Sequence, residues 1–149
     1  MLVYRKMERE DIPAVIELRL GQMREESGRD TAGLAESLAS YYARHLPDGS
    51  FVSWLAVDGE RIVATSGMSF VEKPPYSGNV SGRIGLLSSM YTLEGYRRRG
   101  IARTLLGRVV DEAAKAGCGA VQITASDMGV LLYRDFGFEK NGNFMQYRL

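Results

Sequence analysis

The spacing of hydrophobic residues changes several times along the chain, and each change indicates a new strand or helix. Residues 3–5 begin a short strand, and Asp11 followed by Pro13 predicts the start of a helix that fades near residue 27. A second helical pattern predicts another helix from 31 to about 46. The first third of the chain is therefore expected to contribute one strand and two helices.

The middle of the chain has the pattern of a β-sheet. Two β-rich runs, 51–57 and 61–70, flank an Asp-Gly pair, and this arrangement predicts a β-hairpin. Residues 73–79, which include two adjacent prolines, interrupt the sheet before a further strand at 85–92. We expect these three strands to belong to one sheet.

After residue 100, apolar residues recur at helical spacing, and a glycine at 117 suits the end of that helix. The apolar positions are Ile101, Leu105, Val109, Ala113 and Ala116. Further strands are expected at 119–125 and near 143–148, on either side of a short helix around 130–133. The order β-α-α-β-β-β-α-β-α-β predicts one α+β domain over residues 1–149, with helices on the faces of a sheet.

Composition narrows the class of protein. The 149 residues are 45% hydrophobic and 25% charged, which is typical of a globular domain, and a net charge of +1 argues against a general nucleic-acid binder. Cys118 is the only cysteine and there is one histidine, so neither a disulfide nor a zinc site is expected. With no signal-like or membrane-spanning apolar run, we expect a cytoplasmic protein with no metal, nucleic-acid or membrane partner.

The most informative segment is a basic turn, residues 95–103 (GYRRRGIAR), that leads directly into the helix after residue 100. Such a turn directs free main-chain N–H groups and the positive end of the helix dipole to one point, where a phosphate binds. The predicted donors are the N–H groups of residues 98–103. The glycine spacing is that of a P-loop, but Ile101 and Ala102 stand in place of Lys and Ser/Thr, so ATP or GTP hydrolysis is disfavoured.

The run RRRGIA at 97–102 resembles the Arg/Gln-x-x-Gly-x-Gly/Ala signature of the GNAT superfamily of N-acetyltransferases, whose turn carries the pyrophosphate of coenzyme A. Arg97, Gly100 and Ala102 fall on its three defining positions. Residues 132–138 (LYRDFGF) resemble the family's Leu-Tyr-x-x-x-Gly-Phe block, and residues 90–92 its fourth strand. The resemblance covers nearly the whole chain. It implies a mixed, mostly antiparallel central sheet of six to seven strands, flanked by about four helices.

The resemblance also implies a reaction and a set of site residues. Acetyl-CoA is the implied co-substrate, and a primary amine, by default of a small molecule, attacks its thioester directly through a tetrahedral intermediate. Tyr133 matches the tyrosine that faces the coenzyme sulfur, and a main-chain N–H of Met90 or Tyr91 is expected to bind the oxyanion. The residues expected to contact the coenzyme are Met90, Tyr91, Thr92, Arg97, Arg98, Arg99, Gly100, Ile101, Ala102, Arg103, Ser126 and Tyr133.

Several alternatives stay open at this level. Glu72, Glu94, Asp127 and His45 are nominal candidates for the proton acceptor, and a chain of water molecules to solvent serves equally well. A non-catalytic GNAT-fold protein that binds an acyl-CoA as a sensor or scaffold is the second functional hypothesis, and an ATP-binding module is the third. Because GNAT relatives are often dimers, a homodimer is a further expectation. The acceptor is expected between the N-terminal helices and the loop 72–79.

Overall fold

The computed structural model describes residues 1–28 and 30–149. Its centre is a six-stranded sheet whose paired strands are antiparallel, except for the pair at one edge. The strands are β1 (Leu2–Lys6), β2 (Phe51–Val52), β3 (Trp54–Asp58), β4 (Arg61–Glu72), β5 (Arg83–Thr92) and β6 (Ala120–Gln122). They are ordered β1-β3-β4-β5-β6, and the short β2 pairs with β4.

Four α-helices cover the two faces of this sheet within the described residues. They are α1 (Ile12–Ser27), α2 (Leu34–His45), α3 (Ile101–Lys115) and α4 (Val130–Phe136). Because side chains alternate along a strand, Leu55 and Val57 pack against α1 and α2, whereas Ala56 packs against α3. The side chains of α4 join α3 on that second face. The α+β architecture expected from the sequence is confirmed.

Asp11 precedes α1 at the N-cap position, as predicted, but its carboxylate does not bond to the first N–H groups of the helix. It accepts hydrogen bonds from the two Nη atoms of Arg5, at 2.7 and 2.8 Å, and from the main-chain N–H of Glu8, at 2.7 Å. Hydrogen bonding to the guanidinium lowers the pKa of Asp11. The side chain therefore ties β1 to the start of α1.

Three elements differ from the expectation: one helix starts later, one strand is shorter and one strand is absent from the described residues. The second helix begins at Leu34 and not at residue 31, because Gly33 just before it takes a left-handed conformation with φ of 76°. Of the strand predicted at 119–125, only Ala120–Gln122 pairs with a neighbour. The strand predicted near 143–148 is wrong for the isolated chain, since residues 138–149 contain no strand or helix and pair with nothing. The six strands of the described residues match the lower end of the predicted number.

Candidate active site

The sheet opens along one half of β5. The pairing with β6 extends only from Ile84 to Leu86, whereas the pairing with β4 continues to Thr92. Over residues 87–92, no second strand of the described residues lies along the edge of β5 that faces away from β4. Main-chain groups on an unpaired strand edge are available to a partner. This half of β5 therefore offers main-chain groups to an extended ligand.

A β-bulge lies in the open half of β5. Thr65 of β4 pairs with Tyr91 and Gly67 pairs with Ser88. One residue of β4 therefore lies between these two pairs, whereas two residues of β5, Ser89 and Met90, lie between them. Ser89 has a positive φ of 58°, a conformation that costs about 1–2 kcal/mol for residues other than glycine. The Thr65 hydroxyl donates to the Ser89 carbonyl at 2.7 Å and holds the bulge in place. Met90, the next residue, has no partner on β4, so its main-chain groups are released from the regular ladder.

Six successive main-chain N–H groups, from Arg98 to Arg103, lie where the basic turn meets α3. The N–H of Arg97 before them donates to the Glu94 carbonyl, and the N–H of Thr104 after them donates to the Gly100 carbonyl. The six between have no main-chain acceptor within the part of the chain that the structure describes. These are the donors expected from the sequence, and they stand at the positive end of a 15-residue helix.

The Arg97 side chain has a different surrounding from the other arginines of the turn. Its Nη2 contacts both carboxylate oxygens of Glu25, at 3.0 and 2.8 Å, and its Nε donates to the Thr92 carbonyl at 2.9 Å. The Arg97 guanidinium also lies 5.6 Å from the centre of the Tyr91 ring. The hydrogen bonds to Glu25 raise the pKa of Arg97. Arg97 thus connects α1, β5 and the turn.

Tyr133 lies in α4, on the opposite face of the sheet from α1. Its ring is buried, its centre is 5.6 Å from that of Phe138, and a Cβ added at Gly129 would come within 2.8 Å of it. Its hydroxyl forms no hydrogen bond within residues 1–28 and 30–149. Burial, followed by the negative charge of Glu26 on α1, raises the pKa of Tyr133 to about 12. The side chain is therefore a neutral hydrogen-bond donor at every physiological pH.

A buried amide on α1 completes the site, and the sequence analysis missed it. Gln22 is 5% exposed, and its Nε2 donates to Glu26 Oε1 at 3.1 Å and to the Met90 carbonyl at 3.3 Å. Its Oε1 accepts a bond of 2.9 Å from Arg19. The sequence did carry a signal: Arg19, Gln22 and Glu26 continue at helical spacing from the buried Val15, so polar residues occupy what should be an apolar face.

These features meet in one arrangement: an opened strand, a bulge, a turn with free N–H groups and a buried tyrosine. Residues 13–138 match the model of the Acetyltransferase (GNAT) family. The chain belongs to the GNAT family. The resemblance noted in the sequence is thereby confirmed.

Relatives of GNAT type agree with this assignment. The chain is 32% identical over 115 residues to N-acetyltransferase 8B of Rattus norvegicus, a match that covers 74% of this chain and 50% of the relative. The chain thus spans about half the length of this curated relative. The crystal structure of a predicted acetyltransferase from Clostridium acetobutylicum with acetyl-CoA superposes with a TM-score of 0.95 at 29% identity, covering 99% of this chain and 96% of that one. A GCN5-related N-acetyltransferase from Ralstonia eutropha shares the fold, with a TM-score of 0.90, 24% identity and 99% of each chain covered.

Three residues that the sequence analysis named as candidate site residues instead form hydrogen bonds or ion pairs with nearby side chains or main-chain groups. The Ser126 hydroxyl accepts a hydrogen bond from the N–H of Gly129 at 3.2 Å, which stabilises the turn before α4. Glu72 pairs with Arg83 at the end of β5 remote from the bulge, and the His45 ring bonds to Ser50 at 2.6 Å. The structure therefore does not favour Glu72 or His45 as the proton acceptor.

A surface pocket of about 330 Å³ opens beside the Gln22 network. Its lining combines both charges and one thioether: Arg19, Met23, Glu26, Ser27, Asp30 and Thr31. A larger, shallower groove of about 550 Å³ follows the hairpin of β3 and β4, and it shares no residue with the turn, the bulge or α4. The smaller pocket is therefore the one that adjoins the GNAT site, through Glu26.

Among the described residues, no three His, Cys, Asp or Glu side chains are grouped so that they could hold a metal ion. In the same residues, no helix has the length and apolar character needed to cross a bilayer.

Proposed function

We propose that this GNAT protein transfers the acetyl group of acetyl-CoA to a primary amine. The observation that carries the proposal is the row of six N–H groups without acceptors, placed at the end of a strand whose edge is open. An elongated ligand with a diphosphate at one end and an amide-containing arm fits such a combination. The Clostridium acetobutylicum relative was crystallised with acetyl-CoA, which supports the same ligand here.

The turn is proposed to hold the diphosphate mainly through hydrogen bonds. Charge-assisted bonds are worth roughly 1.5–3 kcal/mol each, whereas the dipole of a helix adds about 0.3–1 kcal/mol. Arg98, Arg99 and Arg103 are exposed and form no ion pair within the described residues, so we propose that their charges act on the phosphates. Arg97, which binds Glu25, is proposed to fix the turn and not to contact the ligand through its side chain.

The bulge is proposed to supply the oxyanion donor. Met90 has no partner on β4, whereas Tyr91 pairs with Thr65. The peptide group that carries the Met90 N–H is held through the Ser89 carbonyl, which accepts a hydrogen bond from the Thr65 hydroxyl at 2.7 Å. A positioned N–H donor is worth ~2.7–4 kcal/mol when charge develops on the thioester oxygen. Of the two residues considered from the sequence, Met90 therefore suits this role better than Tyr91.

Tyr133 is proposed to donate a hydrogen bond to the departing sulfur. Full proton transfer from a phenol of pKa about 12 to a thiolate, whose thiol has a pKa near 8.5, would be uphill by about 5 kcal/mol. A hydrogen bond stabilises the developing thiolate without that cost. The raised pKa of Tyr133 therefore favours a donor role over a general-acid role.

Glu26 is proposed to bind the acceptor amine. Its carboxylate lines the pocket, accepts a bond from Gln22 and acts electrostatically on Tyr133, so it adjoins both the acceptor side and the sulfur side. The bound ammonium first loses one proton to solvent, because only the neutral amine has the lone pair that attacks the thioester carbon. The C–S bond then breaks, and the coenzyme leaves as a thiolate. The second proton, which N–C bond formation has made acidic, passes from the nitrogen to Glu26 and then to solvent.

A ligand and turnover assay tests the proposal. We expect acetyl-CoA to raise the melting temperature and Mg-ATP to leave it unchanged. With acetyl-CoA and a panel of monoamines, diamines and amino sugars, we expect amine-dependent release of free thiol and an acetylated product of matching mass. Binding of acetyl-CoA with no turnover for any amine would favour the sensor alternative, and stabilisation by Mg-ATP alone would contradict the proposal.

Glu26→Gln tests the acceptor role separately. Loss of one charge-assisted bond, about 1.5–3 kcal/mol, should lower kcat/KM for a cationic amine by about 10–100-fold while the Kd of acetyl-CoA stays the same. Glu17→Gln, on an exposed position of the same helix, is the matched control and should behave like the parent protein. Equal kcat/KM values for the two variants would remove Glu26 from the mechanism.

A further inference from the structure

The pocket beside the Gln22 network carries both signs of charge, and only the negative one has a role in the proposed transfer. Glu26 binds the acceptor amine there, whereas Arg19, which lines the same pocket, has no ligand so far. Arg19 donates from Nη1 to the Gln22 oxygen at 2.9 Å and forms no ion pair within residues 1–28 and 30–149. A guanidinium has five N–H donors, so this one bond leaves several of them for a ligand.

The surroundings of Arg19 place its charge near the bulge of β5. Arg19 and Glu26 lie on one face of α1, since seven residues make about two turns of a helix. On α2, burial raises the pKa of Tyr42, and the charge of Arg19 and a side-chain hydrogen bond with Ser89 oppose that rise. Ser89 belongs to the bulge at which the thioester is proposed to lie. The free guanidinium therefore adjoins the place where the acceptor has to react.

The two charges are held at a fixed separation by the amide between them. Arg19 Nη1 lies 2.9 Å from the Gln22 oxygen, and Glu26 Oε1 lies 3.1 Å from the Gln22 nitrogen. Given the dimensions of an amide, the two charged atoms are at most about 8 Å apart. The ammonium nitrogen and a carboxylate oxygen of an α-amino acid are about 3 Å apart, so with a charge-assisted bond of about 2.8 Å at each end such a ligand spans a comparable distance.

The size and charge of the pocket narrow the ligand further. Its volume of about 330 Å³ is at the lower end of the range of about 300–1,000 Å³ for small-molecule sites, which suits a small metabolite. Two carboxylates, of Glu26 and Asp30, line it together with one guanidinium, so a dianionic phosphate would be repelled on balance. A short diamine would instead bring a second ammonium close to Arg19. A carboxylate is therefore the group that fits beside Arg19.

We propose that the acceptor is an α-amino acid, whose carboxylate binds Arg19 while its ammonium binds Glu26. This inference rests on the proposed function, because it takes Glu26 as the site of the acceptor amine. Gln22 is bonded to both charged side chains and holds them apart, so the two binding groups are in place before the ligand arrives. The rest of the lining, including Met23 and Thr31, is left for the side chain of the amino acid.

The first test measures how turnover depends on the carboxylate. L-Amino acids with apolar, polar and charged side chains are assayed with acetyl-CoA, each beside its carboxamide, by release of free thiol. In Arg19→Gln, the ratio of kcat/KM for acid over amide should fall about 10–100-fold through loss of one charge-assisted bond, while kcat/KM for the amide stays the same. Because an amide lowers the basicity of the neighbouring amine, the ratio is compared between proteins and not taken alone.

Two further variants sharpen this comparison. Arg19→Lys keeps the positive charge and should retain part of the preference for the acid. Arg24→Gln, at an exposed arginine of the same helix, is the matched control and should keep the ratio of the parent protein. An acid-to-amide ratio that is the same in Arg19→Gln as in the parent would overturn the proposal and leave acetyl transfer itself in place.

The second test measures binding without turnover. With coenzyme A in place of acetyl-CoA no acetyl group can be transferred, and isothermal titration calorimetry gives the Kd of the same acids and amides. The best-binding acid should have a Kd about 10–100-fold lower than its amide in the parent and a similar Kd in Arg19→Gln. An ω-amino acid with several methylene groups between its charges should bind no better than the amide.

The two readouts distinguish this inference from the proposed function. Selective binding of amino acids that depends on Arg19, with no turnover of any of them, would support the amino-acid site and contradict acetyl transfer. Turnover of amines that does not depend on Arg19 would support acetyl transfer and contradict the amino-acid site. Failure of every amino acid in the panel to bind or react would overturn the inference.

Discussion

The two halves of β5 differ in their pairing, and the proposed chemistry uses only one of them. In residues 83–86, β5 is hydrogen-bonded on both sides, and Ile84 is almost completely buried. In residues 87–92 it has one neighbour, contains a bulge, and includes Ser89 in a left-handed conformation. In the regular half, pairing with both neighbours occupies the main-chain groups. In the irregular half, the bulge and the open edge leave main-chain groups unoccupied, and these are the groups that the proposed ligand would use.

Side chains from neighbouring elements hold the irregular half in place. From β4, Thr65 bonds to the Ser89 carbonyl, and from α1, Gln22 bonds to the Met90 carbonyl. Arg97 adds a bond to the Thr92 carbonyl at the end of the strand. Three side chains thus fix carbonyl groups of the irregular half, at Ser89, Met90 and Thr92. Each of them, and the turn that follows, offers a way to test the contrast between the halves.

The largest effect is expected from Gly100→Glu. The side chain would project from the centre of the donor row, and its carboxylate would repel a diphosphate, so the Kd of acetyl-CoA should rise at least about 100-fold through the loss of several bonds worth about 1.5–3 kcal/mol each. Isothermal titration calorimetry measures this. Because Gly100 has a positive φ of 78°, any other residue there is strained by about 1–2 kcal/mol. Melting curves of the variant are therefore measured as well, to separate a loss of stability from a loss of binding. Gly107→Glu, on the same helix with the same charge change and open space around it, is the control. Unchanged affinity in Gly100→Glu would exclude the turn from the binding site.

The next largest effect is expected from Tyr133→Phe. Loss of the donor should lower kcat by about 100-fold or more and leave the Kd of acetyl-CoA nearly unchanged. Because burial raises the pKa of Tyr133 to about 12, the neutral form persists two units beyond the usual value near 10, so its ionisation should not reduce the rate of the parent enzyme below about pH 11. Steady-state rates against pH test both points. Tyr76→Phe, at a 41% exposed position, is the control. A parent-like kcat would leave Tyr133 with a packing role only.

A moderate effect is expected from Thr65→Val, which keeps the shape and removes the bond to the Ser89 carbonyl. Leaving that buried carbonyl without its donor should cost about 1–3 kcal/mol of unfolding free energy, and the loosened bulge should lower kcat by about tenfold. Urea denaturation and steady-state kinetics measure the two quantities. Thr124→Val, at an exposed threonine, provides the comparison. If stability falls and kcat does not, the bulge is structural and the oxyanion donor lies elsewhere.

The smallest effect is expected from Glu25→Gln, which breaks the bridge to Arg97. The two side chains are 40% and 27% exposed, so solvent screens the pair and the loss of unfolding free energy should stay below about 1 kcal/mol. The difference from the parent protein should shrink further as salt is added. Glu36→Gln, at an exposed glutamate of α2, serves as control. A loss well above this value would show that Arg97 supports the fold and not only the turn.

The parts of the molecule that depend on local sequence were predictable. The hairpin, the long helices and the row of donors after Arg97 follow from turn residues, helix periodicity and the geometry of a helix start. The GNAT assignment followed from the same turn and the block around Tyr133. In each case the residues that carry the signal lie in the segment whose structure they specify.

The parts of the molecule that depend on tertiary contacts could not be predicted from the sequence. Nothing near Arg97 in the sequence indicates that its partner is Glu25, which lies on the first helix. Gln22 reaches β5 through a bond across 68 positions of the chain, and Glu26 gained its candidate role only through that network. The strand predicted near 143–148 was wrong because alternating residues form a strand only where a neighbouring strand pairs with them, and no described strand does so.

The amide of Gln22 also limits what evolution can place at that position. Both protons of its nitrogen are engaged, by Glu26 and by the Met90 carbonyl, and its oxygen receives Arg19. A glutamate there would place a carboxylate beside the Glu26 carboxylate and the Met90 carbonyl, and a leucine would leave the Met90 carbonyl without its side-chain donor. The residue therefore works as a neutral link with a fixed orientation: its oxygen needs a donor, its nitrogen needs two acceptors, and exchanging the charges of Arg19 and Glu26 would turn its oxygen toward the Met90 carbonyl.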